Sequence, residues 1–331
     1  MTIPLLMFIH AQRSVHGVVM ERFYDYYNIT RQGFAKASKK LNEELRMMNL
    51  ISQSIRDYRL YSDRRAGSRS LFYNLNIKAI YGMGVTRFER LMSKYGLTLL
   101  PIRTRVITTK SCLRSWNYPN LCNSLKINGI NQLVVGDLTY ISIGKNRYFM
   151  FCLTDVFSAR IVGFCISNRM RSKEAFAAFN MWVKLRGLDN ICNCIHHTDG
   201  GSQYFSTRYV KAMVDADLQI SVAKSCLENG YAEQKNGVIK NHLIPTLRCS
   251  STTGIRKAIH RMVDFYNHNR KQPQLGWKSP IQFESELSNQ QTHGQLVLHD
   301  HEQNIASRRT GFFKVSNGQK SKPKNRVTKK V

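Results

Sequence analysis

The hydrophobic positions in the first hundred residues follow a helical period. Apolar residues recur every three or four positions over residues 17–62, which predicts amphipathic helices. The polar stretch 28–32 interrupts them, with Thr30 as a helix N-cap. A second helical pattern follows: a short apolar helix, a turn that contains Gly82, and a basic amphipathic helix. That order predicts a helix-turn-helix, although many helical hairpins share the pattern.

The middle of the chain alternates between strand-like and helix-like patterns. Short apolar runs with a period near two predict five strands, and longer runs with a period near 3.6 predict helices among them. The strands are predicted at 132–143, 147–154, 161–167, 192–197 and 218–222, and the helices at 172–185 (with Ser172 as its cap), 207–215, 228–243 and 254–267. Three strands followed by alternating helices and strands predict an α/β layer fold with a mixed sheet.

These patterns divide the chain into four regions. Residues 1–66 are predicted to be a helical region, and residues 67–127 the helix-turn-helix with a basic linker. Residues 128–290 are predicted to be the α/β domain. Residues 291–331 are basic and are expected to form a disordered tail.

The charge of the chain is strongly positive and unevenly distributed. Lys and Arg number 50 against 21 Asp and Glu, which gives a net charge of +29. Residues 1–127 carry +14 and residues 128–290 carry +8, while residues 305–331 contain nine basic residues and no acid. Acids concentrated between basic arms suit a catalytic domain held on DNA. A structural basic protein would carry the same charge, but it leaves the placement of the acids unexplained.

The cysteines and the apolar runs indicate the compartment. Eight cysteines are scattered along the chain, with one close pair at Cys192 and Cys194 but no Cys-x-x-Cys pair, which favours free thiols in a reducing cytoplasm over a zinc site. No apolar run approaches transmembrane length, and the amino-terminal run lacks the features of a signal peptide. We therefore expect a cytoplasmic protein without a membrane partner.

Three acidic residues stand where an uncompensated carboxylate is unfavourable. Asp137 interrupts an apolar strand, Asp199 follows a buried strand and precedes two glycines, and Glu233 lies on a predicted helix. Hard divalent cations prefer carboxylate oxygens, so the three acids predict a Mg²⁺ site at which Mn²⁺ would substitute. Lys240 follows Glu233 by two helical turns, so it is expected on the same face and within reach of a substrate phosphate.

Five short motifs resemble those of one protein family. They are Asp137-Leu-Thr-Tyr-Ile; His197-Thr-Asp-Gly-Gly-Ser-Gln-Tyr; Ala232-Glu233 with Lys240; Tyr266-Asn-His-Asn-Arg270 followed by Leu275-Gly-Trp-Lys-Ser-Pro280; and Tyr118-Pro-Asn-Leu121. Together they resemble the motifs of the second-frame transposases of the insertion-sequence-three group, relatives of the retroviral integrases, over about residues 20–285.

The resemblance implies a ribonuclease-H-like integrase catalytic core and a DDE transposase that uses two metal ions. The family's catalytic and metal-binding acids correspond to Asp137, Asp199 and Glu233, and the candidate DNA-binding residues are Arg87, Arg90 and Lys240. Such an enzyme would cut a mobile element at its terminal inverted repeats and join the 3′-hydroxyls to target DNA. It would act as a homo-oligomer on DNA, in the bacterial nucleoid. The alternatives are a catalytically retired DNA-binding protein and a nuclease of RNA–DNA hybrids.

The sequence departs from the family pattern in two places. Asp199 and Glu233 are separated by 33 residues, two fewer than usual, and the shortening falls in the loop 225–231, where length varies easily. Glu228 is therefore a rival third acid, although the Ala-Glu context favours Glu233. Val134 stands where the family commonly has Trp, which we interpret as a change in packing.

Four neighbouring polar residues are weaker candidates. Asp155 is expected to serve a turn or an ion pair, and His197 to support Asp199 by a hydrogen bond. Gln203 and Tyr204 are possible DNA contacts, with a structural role favoured for both.

Overall fold

The fold is described from a computed structural model. It covers residues 4–5, 7–11, 17, 19–100, 118–143, 146–223, 229–247, 252–287, 295–297 and 315–316. The chain divides into two compact units, residues 1–60 and residues 61–331. Within the described ranges, no helix is both long enough and apolar enough to cross a membrane.

The first unit is helical, as its periodicity predicts. Helix α1 (Met20–Tyr26) is followed by the long helix α2 (Arg31–Tyr61), which runs to the boundary of the unit. The predicted N-cap is confirmed, because the Gly33 N–H donates to Thr30 Oγ at 3.0 Å. A small apolar cluster consists of Met20, Tyr24 and Phe34.

The second unit begins with three short helices: α3 (Ser68–Asn74), α4 (Ile77–Tyr81) and α5 (Val85–Lys94). Their buried side chains are Leu71, Phe72, Ile77, Phe88, Leu91 and Met92. The sequence pattern predicts α3, the Gly82 turn and α5, but not α4. Helix α4 ends at Gly82, which has a φ of +62° and donates its N–H to Lys78 O at 3.0 Å. That left-handed conformation favours glycine.

The predicted mixed five-stranded sheet is confirmed. The described strands are, in chain order, β1 (Lys126–Ile127), β2 (Leu133–Ile143), β3 (Asn146–Asp155), β4 (Ile161–Ser167), β5 (Ile195–Thr198), β6 (Gln219–Val222), β7 (Gln295–Val297) and β8 (Val315–Ser316). The five-stranded sheet has the order β4-β3-β2-β5-β6. Strands β2, β3 and β4 are antiparallel, whereas β5 runs parallel to β2 and β6 parallel to β5.

The helices of the second unit continue with α6 (Ser172–Arg186), α7 (Thr207–Asp215), α8 (Gly230–Val238), α9 (Thr252–His268) and α10 (Pro280–Leu287). Helix α8 continues directly into a π-helical turn, Ile239–Leu243. The predicted cap of α6 is wrong. Ser172 is its first helical residue, and the carboxylate of Glu174 reaches back to accept the Arg171 N–H at 3.1 Å.

Both faces of the sheet are buried, and alternate residues of β3 supply the two cores. Phe151 and Leu153 pack on one side with Trp182 of α6. Met150 and Cys152 point to the other side, into a core that contains Ile259 of α9. This alternation follows from the two-residue period of a strand.

A second, three-stranded sheet was not predicted. Strand β1 pairs with β7, and β7 pairs with β8. Strands β7 and β8 lie in the stretch 291–331 that the sequence predicts to be a tail, and its other residues are outside the described ranges.

Candidate active site

The parallel pairing of β2 with β5 places Asp137 beside Asp199. Gly136 pairs with Thr198, and each aspartate is the next residue along its own chain. Neighbouring strands lie about 4.8 Å apart and paired positions share a face of the sheet. The backbones of the two aspartates therefore lie side by side, where the short strand β5 ends beside β2.

The turn after β5 is built tightly around the Asp199 carboxylate. The Gly201 N–H donates to Asp199 Oδ1 at 3.1 Å. Gly200 has a φ of +77°, and a β-carbon on Gly201 would lie 2.9 Å from Gln203 Oε1 and 3.1 Å from Asp199 Oδ1. The two glycines permit a close approach to the backbone, and in this structure the side chain of Asp199 makes that approach.

Helix α8 brings an asparagine and Glu233 to the same edge. Asn236 Nδ2 donates to Asp137 Oδ2 at 2.6 Å, and Asn229 Nδ2 donates to Gly136 O at 3.3 Å. Glu233 precedes Asn236 by three residues, so both lie on one face of the helix. The sequence interpretation missed Asn236, and its spacing from Glu233 is a signal that could have pointed to it.

The electrostatics show that the three carboxyl groups influence one another. Burial, followed by the charge of Asp199, raises the pKa of Asp137 to about 7, although the hydrogen bond from Asn236 opposes the shift and Glu233 adds a smaller increment. Partial burial also raises the pKa of Asp199. The pKa of Glu233 is raised by partial burial and then by the charge of Asp199.

The donor chemistry of these acids fits a hard divalent cation. Carboxylate oxygens are the ligands that Mg²⁺ prefers, and a cation would relieve the repulsion that raises the pKa values. Over the described ranges, however, no group of three or more His, Cys, Asp or Glu side chains is arranged to hold a metal ion. The acids are neighbours whose oxygens are not gathered around one point, and the side chain of Glu233 is exposed.

Two lysines near Glu233 behave differently. Lys240 is exposed, but it lies in the π-helical turn, so the two-turn spacing of a regular α-helix no longer sets its direction relative to Glu233. Lys235, which the sequence interpretation missed, is buried and donates from Nζ to Gln272 Oε1 at 3.1 Å. Burial lowers the pKa of Lys235 to about 7, and the nearby charge of Arg270 contributes. The rival acid Glu228 lies outside the described residues.

Helix α5 presents one apolar and one basic face. Its apolar residues are in the core of the three short helices, whereas Arg87 and Arg90 are exposed. Lys94 extends the same exposed stripe by one further turn. Glu89 does not interrupt the stripe, because it pairs with Arg69 of α3 at 2.8 Å. The structure thus places the two predicted arginines on a continuous surface.

Three of the four weaker candidates have structural contacts. Asp155 accepts the backbone N–H groups of Phe157 and Ser158, each at 3.0 Å, as the turn interpretation predicts. Tyr204 is 1 % exposed in the core, which argues against the DNA contact considered for it. His197 Nδ1 is 2.8 Å from Ser221 Oγ, so the described hydrogen bond of this ring nitrogen is to a serine and not to Asp199.

Known proteins resemble this chain in sequence and in fold. The Integrase core domain family matches residues 128–225. The putative transposase for insertion sequence element IS986/IS6110 of Mycobacterium tuberculosis is 31% identical over 228 residues, which cover 66% of this chain and 81% of that protein. The insertion element IS600 uncharacterized 31 kDa protein of Shigella sonnei is 26% identical over 82% of this chain and 96% of that protein. Among solved structures, the HTLV-2 integrase catalytic core domain in complex with magnesium is 21% identical, covers 50% of this chain and 99% of that one, and has a TM-score of 0.37.

The fold and the matched core define the class: an integrase-type polynucleotidyl transferase with a ribonuclease-H-like sheet. The identity and coverage of the mycobacterial relative then show the family. The chain belongs to the insertion-sequence-three group of DDE-type transposases, enzymes that act on DNA.

Proposed function

We propose that this transposase cuts the ends of a mobile DNA element and joins the resulting 3′-hydroxyls to target DNA. The observation that supports the proposal is the placement of Asp137, Asp199 and Glu233 at one edge of the sheet, with Asn236 bound to Asp137. Two carboxyl groups come from adjacent strands and the third from the helix that packs against β2. Such a site offers oxygen ligands while remaining open to a phosphodiester.

The three acids would hold the metal ions, and the other residues would position the substrate. Asp137, Asp199 and Glu233 would hold two Mg²⁺ ions, for which Mn²⁺ would substitute, and bound metal would supply the positive charge that favours attack and stabilises the leaving oxygen. Asp137 lies close enough to both other acids for their charges to raise its pKa, so it would hold metal together with them, while Asn236 keeps its carboxylate oriented. Lys240 would meet a phosphate near the scissile bond as a point charge. The contribution of the protein is therefore positioning and electrostatic stabilisation.

Recognition of the element would fall to the helix-turn-helix. We assign residues 67–127 to binding of the terminal inverted repeats and residues 128–290 to catalysis. Arg87 lies in the first turn of α5, where the residues of a recognition helix contact base edges and phosphates, and Arg90 lies one turn further along the same face. Two element ends must be cut and joined together, which favours a homo-oligomer on DNA. The protein would then reside on the bacterial nucleoid.

The test is strand cleavage of duplexes that carry the inverted repeats flanking the gene. We expect Asp137→Ala, Asp199→Ala and Glu233→Ala each to abolish metal-dependent cleavage while duplex binding persists. Glu228→Ala is the matched control and should cleave normally. Cleavage by Glu233→Ala but not by Glu228→Ala would assign the third acid to Glu228. A wild-type protein that binds but never cleaves, with Mg²⁺ or Mn²⁺, would be the retired DNA-binding alternative.

A further inference from the structure

The segment that links α9 to α10 touches two functional parts of the second unit. Residues 270–277, here named the docking segment, begin in extended conformation, with Gln272 at φ −123° and ψ 137°. Backbone hydrogen bonds join the two ends of the segment. The Gln272 N–H donates to O of Lys278, the next residue after the segment, at 3.0 Å, and the Trp277 N–H donates to Gln272 O at 2.9 Å. It is therefore a defined structure and not a loose connection.

One side of the docking segment holds the helix-turn-helix. Lys271 Nζ donates to Tyr73 O at 2.9 Å and to Asn76 Oδ1 at 2.8 Å, and its backbone N–H donates to Asn74 Oδ1 at 3.0 Å. These groups surround the end of α3 and the turn into α4. The ring of Trp277 stacks on Tyr73, with centroids 4.2 Å apart and planes 15° from parallel.

The backbone conformation of Trp277 indicates that this ring stack is a constrained feature of the fold. Trp277 has a φ of +63°, a left-handed conformation that bulky residues rarely adopt. Such a residue persists only where its surroundings hold it, and strained positions concentrate at functional places. Here the stack on Tyr73 and the N–H bond to Gln272 hold the tryptophan in that conformation.

The other side of the docking segment holds the helix that carries Glu233. Gln272 is 1 % exposed, and its Oε1 accepts Nζ of Lys235, which lies two residues after Glu233 on α8. Since successive side chains of an extended segment point to opposite sides, Lys271 can face the helix-turn-helix while Gln272 faces α8.

A buried ion pair fixes the far end of the same helix. Arg270 Nε donates to Asp63 Oδ2 at 3.2 Å, and His242 Nδ1 donates to Asp63 Oδ1 at 2.9 Å. His242 belongs to the π-helical turn that continues α8, and Asp63 precedes the helix-turn-helix by five residues and is fully buried. The middle of α8, at Lys235, and the π-helical turn that continues it, at His242, are thus both tied to the docking segment.

We propose that the docking segment holds the helix-turn-helix at a fixed distance from the Glu233 helix, so that the bound repeat determines which phosphodiester is cut. Lys271 and Trp277 are positioning residues in this arrangement, since they touch neither the acids nor the recognition face of α5. The inference rests on the proposed function, because it assigns repeat recognition to α5 and cutting to the acids. Loss of the contacts that Lys271 and Trp277 make should leave DNA binding intact. The cut should then no longer fall at one fixed distance from the bound repeat.

The experiment compares full-length Lys271→Met, Trp277→Ala and Trp277→Phe with wild type, and uses Lys211→Met as a control on the exposed face of α7. The probe is the duplex that wild type selects from a randomised pool, labelled so that each cut position is resolved. Lys271→Met and Trp277→Ala should bind it with unchanged affinity, cut about 100-fold more slowly, and cut at several neighbouring positions. Trp277→Phe keeps the stack and should retain a single position, as should Lys211→Met. Wild-type rate and position in Trp277→Ala would overturn the proposal.

Hydrogen–deuterium exchange tests the coupling without catalysis. In Trp277→Ala we expect faster exchange both in α3 and α4 and in α8 with its π-helical turn, while β2, β3 and β4 exchange as in wild type. Acceleration confined to residues 270–278 would overturn the coupling. A wild-type protein that cuts nothing would contradict the proposed function, and the exchange result alone would then decide whether the docking segment couples the two parts.

Discussion

Asp137 is held where its charge is disfavoured. Its carboxyl is half-buried on β2, and Asp199 adds like charge from the turn after the adjacent strand β5. The pKa of Asp137 rises to about 7 even though Asn236 donates a hydrogen bond to it. Such a carboxylate lowers the stability of the metal-free protein, and a bound cation would compensate it. Residues that break the rules of their own element are expected at functional sites for this reason.

Asp137→Asn should therefore stabilise the metal-free protein above neutral pH. The folded-state pKa of about 7 lies above the ordinary value of 3.8, so the stability linked to this group is fully present below pH 3.8 and is lost as the pH rises through 7. Asparagine has no such loss. The expected gain in the free energy of unfolding at pH 8 is at most about 4 kcal/mol, reduced by solvent screening of the half-buried carboxylate, and it falls towards zero at pH 4. Urea unfolding without divalent ions measures it, and the variant should not cleave DNA.

Asp63→Asn is a matched control for which the expected change in stability has the opposite sign. Burial alone would raise the pKa of Asp63, but the hydrogen bond from His242 and the charge of Arg270 hold it below its ordinary value. The ionised form therefore stabilises the folded protein, and Asp63→Asn should lower the unfolding midpoint at pH 8. A gain in both variants would contradict the electrostatic argument and indicate a general effect of the substitution.

The three candidate acids stand out in the sequence, whereas the residues that position them carry a weaker signal. Asp137 stands out because it interrupts an apolar strand, and Asp199 because two glycines follow it. An asparagine or a lysine in a helix has no such contrast with its surroundings. The role of Asn236 depends on Asp137, 99 residues earlier in the chain, and that contact exists only after folding.

Among the elements, the strands and helices around the main sheet follow the sequence pattern, although β5 begins at Ile195 and not at residue 192, whereas some short elements were not predicted. Strand β4 has the predicted bounds, because its apolar run is bordered by clear changes in polarity. Helix α10 was missed, although Ser279 and Pro280 are typical of a helix start. It depends on distant partners: Glu284 accepts from Arg186 of α6 at 2.5 Å and pairs with Arg160. The π-helical turn was also missed, because no spacing rule distinguishes it from the continuous helix predicted there.

The basic face of α5 leads to a prediction for DNA binding. Arg87→Ala and Arg90→Ala should each weaken duplex binding, by about 1–3 kcal/mol where the arginine reads a base and with loss of selectivity at that position. An arginine that meets only a phosphate should instead reduce the slope of log affinity against log salt by about 1. Binding titrations of the selected duplex and of single-base variants separate these results. Lys211→Ala removes an equally exposed charge from α7, and an equal effect there would remove α5 from recognition.

Over the whole molecule, charge is arranged so that the acids lie between basic regions. Residues 128–290 contain 12 of the 21 acids, including the three of the candidate site, while the flanking regions are strongly basic. A net charge of +29 provides long-range attraction to any DNA, independent of base sequence. The acidic site can then approach a polyanion because the surrounding charge offsets the local repulsion. Sequence selectivity must come from the elements that touch base edges.

The carboxyl-terminal charges should therefore contribute to affinity without contributing to selectivity. Residues 305–331 contain nine Lys and Arg and no acid. Replacing all nine with Gln preserves chain length and keeps Val315 and Ser316 of β8, so the substitution tests charge alone. Affinity for the selected duplex and for a scrambled duplex should fall by the same factor, and the salt slope should fall by up to about 8, since each neutralised phosphate contributes about 0.9. Binding titrations at several salt concentrations measure both quantities. Deletion of residues 305–331 should give the same slope if charge is the cause, whereas a change in the ratio of the two affinities would mean that this stretch takes part in sequence recognition.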